Sequence, residues 1–259
     1  MLHTFALKSV NPSILSIKIA QITDLHLLAQ GKQLMGLDVY KRLLQVIEHA
    51  KTFDPDAYFI TGDCCAQEPV QEVYHMLRPI LDGLGKPYYL AAGNHDDRRM
   101  MRNAFFLEGH NHEPIKGGIE VKGKHFLLLD TSPGHVDQDQ VFWLSRALNQ
   151  YPDADIVMHH PPILMGPSFM DQKYPLMDTD DLLRVLTYDG RPRKVFCGHY
   201  HCGRTASYRN LQVFLCPPTS FFIDPTTDEF KEQELPPAYR QLEWTDSGGF
   251  RAASIYVPA

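Results

Sequence analysis

Short apolar runs alternate with amphipathic segments along the chain, and this alternation restricts the folds that it can form. The runs are rich in β-branched and aromatic residues, end in polar turns, and cover residues 17–23, 57–61, 88–92, 119–121, 125–129, 155–158, 194–197 and 211–215. Apolar residues at helical spacing lie between several of them, at 37–53, 70–84, 138–148 and 180–186. Strands that alternate with helices predict an α/β fold in which helices cover a sheet.

Two helix ends and the C-terminal segment carry further predictions. We expect Pro79 to kink or shorten its helix and Thr179 to act as the N-cap of the helix that follows it. From residue 217 onward prolines punctuate a stretch without helical periodicity. We therefore divide the chain into a main domain at 1–216 and a C-terminal extension at 217–259, packed on or capping that domain. The extension should contain two or three strands, the last at 250–257.

Composition argues against several classes of protein. Apolar residues make up 44% of the 259 residues and charged residues 22%, which is typical of a soluble globular chain. The net charge of −6 argues against a nucleic-acid polymer as the main partner. No apolar run approaches the roughly 18 residues of a membrane helix. Lys8, Asn11 and Pro12 interrupt the N-terminal stretch that a signal peptide would need. We expect a cytoplasmic protein without membrane association.

The cysteines give no indication of a metal site, whereas the number of histidines does. The five cysteines are an odd number without CxxC spacing, which is typical of reduced thiols rather than disulfides or a zinc knuckle. Histidine is unusually frequent, at 13 residues. Histidine is a common metal ligand, so the positions of these residues relative to the predicted strands bear on whether the chain has a metal site.

Polar side chains follow five of the predicted strands directly. They are Asp24 and His26, Asp63, Asn94 and His95, His159, and His199 and His201. The carboxyl ends of parallel strands meet at one edge of an open α/β sheet, so these side chains should converge there. Gly62, Gly93 and Gly198 precede three of these groups, which is consistent with tight turns where the backbone approaches the site closely.

Seven of these side chains are too many for one ion but suit two. If one carboxylate bridges, each of two metals has four ligands, and a bridging hydroxide would bring each to five. Two ions about 3.5–4 Å apart are a known clamp for in-line displacement at phosphorus. With two divalent ions, two aspartates and one hydroxide the local charge is about +1, which suits an anionic substrate despite the negative chain.

The motifs resemble those of the calcineurin-like metallophosphoesterase superfamily. Those that carry the resemblance are Asp24-x-His26, Gly62-Asp63, Gly93-Asn94-His95-Asp96, His159 and Gly198-His199-x-His201. The extended GNHDDR sequence at 93–98, the HHPP sequence at 159–162 and Met170-Asp171 are narrower. They resemble the bacterial class III cyclic-nucleotide phosphodiesterases, a branch that also contains glycerophosphodiesterases.

The resemblance implies a four-layer α/β-β/α sandwich with a binuclear metal centre, in which 1–216 is the catalytic domain. One metal would be held by Asp24, His26, Asp63 and His201, and the other by Asp63, Asn94, His159 and His199, with Asp63 bridging. His95 would be the catalytic histidine that faces the leaving group. Members of the superfamily use Mn, Fe, Zn or Co, and the ligand set does not choose among them.

Our main functional hypothesis is a hydrolase that cleaves a small phosphodiester by attack of a metal-bridging hydroxide. A 3′,5′-cyclic nucleotide, opened to the 5′-monophosphate, is the first substrate to expect. The alternatives are a glycerophosphodiesterase, a phosphomonoesterase or nucleotide pyrophosphatase on the same scaffold, and a metal-free interaction scaffold. The last requires gaps in the ligand set, and none of the seven positions is broken. We leave a homodimer open.

One position departs from the motif pattern of the superfamily, and two other places contain histidines outside the proposed ligand set. Relatives often carry a carboxylate or amide where this chain has Ala66, a position from which it can orient the catalytic histidine, and Gln67 is the candidate substitute. The Gly109–His112 sequence GHNH copies the spelling of the last motif, but we expect a loop there. We also expect His160 to support the site or the fold rather than to bind metal.

Overall fold

The computed structural model describes residues 16–258, which form two large sheets and a small hairpin. The strands are β1 Ile17–Ile22, β2 Ala57–Thr61, β3 Tyr88–Ala91, β4 Gly117–Val121, β5 Lys124–Leu128, β6 Asp155–Val157, β7 Arg193–Cys197, β8 Arg204–Tyr208, β9 Leu211–Leu215, β10 Phe222–Ile223, β11 Glu232–Gln233, β12 Ala238–Trp244 and β13 Phe250–Tyr256. The first sheet has the order β13-β12-β1-β2-β3 and the second the order β4-β5-β6-β7-β9-β8.

Within the described residues, six helices flank the sheets. They are α1 Val39–Thr52, α2 Gln71–Asp82, α3 Arg98–Phe105, α4 Gln138–Gln150, α5 Ser168–Lys173 and α6 Asp180–Thr187. Asp38, Asp97 and Asp137 cap α1, α3 and α4, because each carboxylate accepts a backbone N–H from the first turn. No helix within residues 16–258 combines the length and the apolar character that crossing a bilayer requires.

Alternating burial along the strands of the second sheet produces the layers. Phe126 and Phe196 face the first sheet and pack in one core with residues of α1, α2 and α3. Their neighbours Leu127 and Val195 face the other way and pack in a second core with α4 and α6. Side chains of a strand point alternately to its two faces, so one sheet can serve both cores. The predicted α/β-β/α sandwich is confirmed.

The C-terminal residues extend the first sheet. β12 pairs with β1 in antiparallel fashion from Ile17 opposite Trp244 to Gln21 opposite Arg240, and β13 pairs with β12 along its whole length. Four strands lie beyond residue 217, where two or three were expected, and the last of them matches the predicted 250–257.

Two helix predictions need correction. Helix α2 continues through Pro79 to Asp82, so the proline does not end it at that position, although the helix is shorter than the predicted 70–84. Thr179 stands at the N-cap of α6 but its hydroxyl makes no capping bond. Its backbone already has helical angles, φ −80° and ψ −8°, rather than the extended angles of a typical N-cap.

Candidate metal centre

All eight side chains singled out at strand ends lie on loops that directly follow strands. They are Asp24 and His26 after β1, Asp63 after β2, Asn94 and His95 after β3, His159 after β6, and His199 and His201 after β7. The first sheet therefore supplies the carboxylates, and the second sheet supplies three of the histidines. The closed sandwich brings most of them together in two groups, each of which could hold one ion: Asp24, His26, Asp63 and His201, and His159, His160 and His199.

Asp63 lies between the two groups. Its Oδ2 atom is 3.4 Å from His26 Nε2 and 3.3 Å from His159 Nε2. Its Oδ1 atom accepts the backbone N–H of His95 at 2.9 Å, which fixes the orientation of the carboxylate. A bridging ligand has to reach both ions, and Oδ2 of Asp63 faces one histidine of each group.

The tautomers of His26 and His201 leave two lone pairs facing each other. His26 Nδ1 lies 3.3 Å from the carbonyl of Ala66, and His201 Nδ1 lies 2.8 Å from the carbonyl of Phe221. A carbonyl only accepts, so each Nδ1 carries the proton and each Nε2 carries a lone pair. The two Nε2 atoms are 3.0 Å apart. Two lone pairs at that distance repel unless a cation lies between them, and hence this part of the site fits a metal ion.

His159 and His199 present different nitrogens to the second group. His159 Nδ1 donates to the carbonyl of Thr61 at 2.6 Å, which leaves Nε2 free. His199 Nε2 donates to the carbonyl of Tyr174 at 2.9 Å, so its free nitrogen is Nδ1. A backbone carbonyl that fixes the tautomer of a histidine is the usual support of a metal-ligating imidazole.

His160, which we did not expect to bind metal, lies next to the proposed ligands. It is buried beside His199, with ring centroids 4.0 Å apart, and its Nδ1 lies 2.9 Å from Thr131 Oγ1. It belongs to the second potential ligand group. The doubled histidine of HHPP was the available clue, but two adjacent side chains cannot be ranked as ligands without their orientations.

His95 lies at the open side of the first group. Its ring is 5.0 Å from that of His26, and its Nδ1 donates to a carbonyl at 2.9 Å, which leaves Nε2 directed elsewhere. That carbonyl belongs to the backbone of Gln67, so the residue expected to substitute for Ala66 does so with its main chain rather than its side chain. Asn94, the preceding residue, is exposed on the same loop.

Burial and neighbouring charges set the pKa values of the site. Burial lowers the pKa of His26 to about 4 and that of His199 to about 3, so both rings are neutral and available as ligands. Burial opposes ionisation of Asp63, but His159 and His26 outweigh it and lower the pKa of this carboxyl well below its usual range. Burial acts against the charge of His159 as well, yet Asp63 raises the pKa of this ring to about 9. The site thus stabilises positive charge between Asp63 and His159.

Asp96 organises the loops that carry Asp63 and His95. Its carboxylate accepts the backbone N–H groups of Cys64 and Gly93 and the hydroxyl of Tyr74 at 3.0–3.1 Å. Burial raises its pKa to about 6. The sequence indicated no role for Asp96 within its motif, because its partners are mostly backbone groups.

The glycines before the site residues are required by close approach. A Cβ on Gly198 would lie 2.8 Å from Asp24 Oδ2 and closer still to Thr23 Oγ1, and a Cβ on Gly62 would meet the ring of His159 and the backbone of Gly93. The expected tight approach is therefore present. The GHNH sequence forms an exposed turn, and neither of its histidines belongs to the two potential ligand groups found among the described residues.

The comparison with protein families decides the class of this site. The family model described as calcineurin-like phosphoesterase matches residues 17–203. The chain belongs to this family. The prediction of a metal-dependent phosphoric ester hydrolase is confirmed at that level.

Individual relatives differ in the substrates that their names state. The chain is 31% identical over 251 residues to a Synechococcus protein named a probable cyclic nucleotide phosphodiesterase, covering 94% of this chain and 93% of that one. It is 25% identical over 254 residues to an Arcobacter nitrofigilis protein named a probable glycerophosphodiester phosphodiesterase, with 92% and 93% covered. A dimetal phosphatase from Danio rerio has the same fold, with a TM-score of 0.63 at 12% identity over 93% of this chain and 99% of that one.

Proposed function

We propose that this phosphoesterase is a two-metal phosphodiesterase that opens a 3′,5′-cyclic nucleotide to the 5′-monophosphate. The facing Nε2 lone pairs of His26 and His201, beside a carboxylate that reaches both groups, are the observation that carries the metal requirement. The name of the Synechococcus relative supports the substrate class.

The ligands divide into two sets that share Asp63. Asp24, His26, Asp63 and His201 would hold one ion; Asp63, Asn94, His159 and His199 would hold the other, with Mn, Fe, Zn and Co as the candidate metals. Divalent ions bound there would supply an activated water and polarise the phosphoryl oxygens. The residues of the chain hold these ligands at fixed tautomers, through the carbonyls of Thr61, Phe221 and Tyr174.

His95 is our candidate for the proton donor to the leaving oxygen. The Gln67 carbonyl holds the Nδ1 proton, so His95 would act as a donor in its imidazolium form, which carries a second, transferable proton on Nε2. A ribose 3′-oxygen is a poor leaving group as an alkoxide and benefits from protonation as the bond to phosphorus breaks.

A rate panel tests the substrate class. It compares 3′,5′-cyclic AMP, 2′,3′-cyclic AMP, a glycerophosphodiester, bis(p-nitrophenyl) phosphate and p-nitrophenyl phosphate with Mn²⁺ added, using Asp63→Asn as the inactive control. We expect the highest kcat/KM on 3′,5′-cyclic AMP. A preference for the glycerophosphodiester would assign the function that the Arcobacter relative's name states. A higher kcat/KM on the monoester than on every diester would overturn the diesterase proposal.

The stereochemistry of the product tests direct attack by water. Hydrolysis in ¹⁸O-water should put one labelled oxygen on the product phosphate, and a phosphorothioate analogue that is chiral at phosphorus should react in the same water with inversion. Retention would reveal a covalent enzyme intermediate and contradict the proposal.

A further inference from the structure

Four aromatic side chains, Phe221, Phe230, Phe169 and Tyr174, form a continuous array that we call the aromatic wall. Ring centroids are 6.3 Å apart between Phe221 and Phe230, 6.0 Å between Phe230 and Phe169, and 5.7 Å between Phe169 and Tyr174. These are contact distances for edge-to-face or offset aromatic pairs. The residues come from two distant segments, α5 with its C-terminal cap and the region around the β10–β11 hairpin.

Both ends of the aromatic wall are hydrogen-bonded to histidines of the metal centre. The ring of Phe221 lies 4.1 Å from that of His201, and its carbonyl accepts the Nδ1 proton of the same histidine. At the other end the carbonyl of Tyr174 accepts the Nε2 proton of His199. The ring of Phe221 therefore borders the first potential ligand group, and the main chain of Tyr174 borders the second, so a substrate whose phosphate lay at the metals would have the face of Phe221 next to it.

Two residues of the aromatic wall are exposed, and the other two, Phe169 and Phe221, are partly buried against the second core. Phe230 is 48% exposed and Tyr174 is 53% exposed. Phe221 also lines a cavity of about 400 Å³, whose charged lining residues are Arg42, Glu232 and Glu234. A volume of this size is within the range of small-molecule sites, and exposed aromatic surface beside a polar centre is typical of ligand binding.

Two aspartates hold the aromatic wall in place. Asp171 on α5 accepts the hydroxyl of Tyr200 at 2.8 Å and the backbone N–H of Met165 at 2.9 Å, which anchors α5 beside the loop of His199 and His201. Asp224 accepts from Thr226 and from Lys231 Nζ, and closes the loop that carries Phe230. A wall fixed before binding spares a ligand the entropy of ordering it. The Met170-Asp171 motif thereby acquires a positioning role.

We propose that the aromatic wall stacks the purine or pyrimidine base of the substrate and thereby selects nucleotides over diesters without an aromatic group. This inference rests on the proposed function and deepens it, because glycerol-type diesters offer nothing to stack. Base–aromatic stacking tolerates any base, since every base has a π-face. We therefore expect the wall to favour nucleotides as a class rather than one base.

Competitive inhibition by product analogues tests the aromatic wall directly. The inhibition constants of 5′-AMP and ribose 5-phosphate are measured against bis(p-nitrophenyl) phosphate hydrolysis with Mn²⁺. The two compounds share the phosphate and the sugar, so their ratio isolates the base. We expect 5′-AMP to bind at least about tenfold more tightly, in line with the affinity that stacking one base contributes.

Phe230→Leu and Tyr174→Leu should each reduce that ratio at least about fivefold without loss of metal. The matched control is Phe142→Leu on α4, which is 66% exposed but outside the wall and should keep the wild-type ratio. Equal inhibition by the two compounds in the wild type, or an unchanged ratio in both wall variants, would overturn the inference. If cyclic AMP is hydrolysed but the ratio is near one, the proposed function stands and the inference fails. If no cyclic nucleotide is hydrolysed but the ratio is large, the inference stands and the proposed function fails.

Discussion

Backbone strain at single residues is concentrated in the metal centre. Asp24, His26, Asp63, His199 and His201 all have positive φ, between 44° and 74°. The left-handed region costs a residue with a Cβ roughly 1–2 kcal/mol. Such strain persists only where the surroundings impose it, and its occurrence at five of the seven proposed ligands indicates that ligand placement, not stability, shaped these loops.

Removing the imidazole of His95 should lower the rate and leave the metals bound. We expect His95→Ala to reduce kcat on 3′,5′-cyclic AMP by about 10²–10⁴-fold, as is typical of a lost general acid. Hydrolysis of bis(p-nitrophenyl) phosphate should suffer less, because p-nitrophenolate leaves without protonation. Steady-state rates on both substrates and elemental analysis provide the measurement. The double variant His110→Ala, His112→Ala is the control and should retain rate and metal. Equal losses on the two substrates would show that His95 positions the phosphate instead.

A methyl group on Gly198 should damage the metal centre by steric conflict. The added Cβ would displace Asp24 and Thr23, so we expect Gly198→Ala to bind less metal and to lose about 1–3 kcal/mol of unfolding free energy, as overpacking usually costs. Gly118→Ala on β4 is the matched control, because nothing lies within 4 Å of its Cβ position. It should stay within about 0.5 kcal/mol of the wild type in denaturant unfolding. A Gly198→Ala protein with full metal content and wild-type stability would contradict the close packing.

At the scale of elements, one buried arginine joins α6 to the start of β6. Arg193 is 1% exposed and donates to the carbonyls of Leu186, Pro152 and Ala154, and it pairs with Asp189 at 3.1 Å. We expect Arg193→Met to destabilise the protein by about 3–5 kcal/mol, because three carbonyls and the partly buried carboxylate of Asp189 lose their partner.

The neighbouring arginine provides the control for that prediction. Arg191 pairs with Asp153 at the surface, where the side chains are 50% and 83% exposed. Exposed pairs contribute about 0–1 kcal/mol, so Arg191→Met should unfold close to the wild-type denaturant midpoint. Similar losses of unfolding free energy in the two variants would mean that the buried bonds of Arg193 stabilise the protein no more than an exposed ion pair does.

Elements with strong internal patterns were predictable from the sequence, and those defined by distant partners were not. The strand at 57–61 was predicted to the residue, since five consecutive buried residues leave little ambiguity. The short helix α5 and strand β8 were missed, because α5 is anchored by Asp171 and β8 is a largely exposed strand stabilised by pairing with β9. We propose that 217–258 belongs to the same folding unit as 16–216, since β12 pairs with β1, a contact that no local pattern reveals.

At the scale of the whole molecule, the metal centre exists only where the two sheets meet. Polar ties cross between them: Gln21 on β1 donates to the carbonyl of Cys197 on β7, and Arg240 on β12 donates to that of Leu215 on β9. The sequence could predict that strand ends converge within each sheet, but not that two separate sheets place their edges side by side. The motif resemblance supplied that step. In the structure His26, which follows a strand of the first sheet, and His201, which follows a strand of the second, direct their Nε2 lone pairs at each other.

Ligands drawn from both sheets imply that metal binding and folding are coupled. An ion that binds the native state alone stabilises it by mass action, by about 2.7 kcal/mol per site at a free concentration 100 times its Kd. For a chain of this length each kcal/mol raises Tm by roughly 2–4 °C, so Mn²⁺ should raise the Tm of the chelator-treated protein by about 5–10 °C per site. Differential scanning calorimetry at increasing Mn²⁺ measures the rise. Asp63→Asn, which removes charge from the shared ligand, should lose most of the rise, while His110→Ala should keep it. If Mn²⁺ restored activity to chelated protein without moving Tm, the ions would not tie the two sheets together, and the assignment of ligands from both would have to be abandoned.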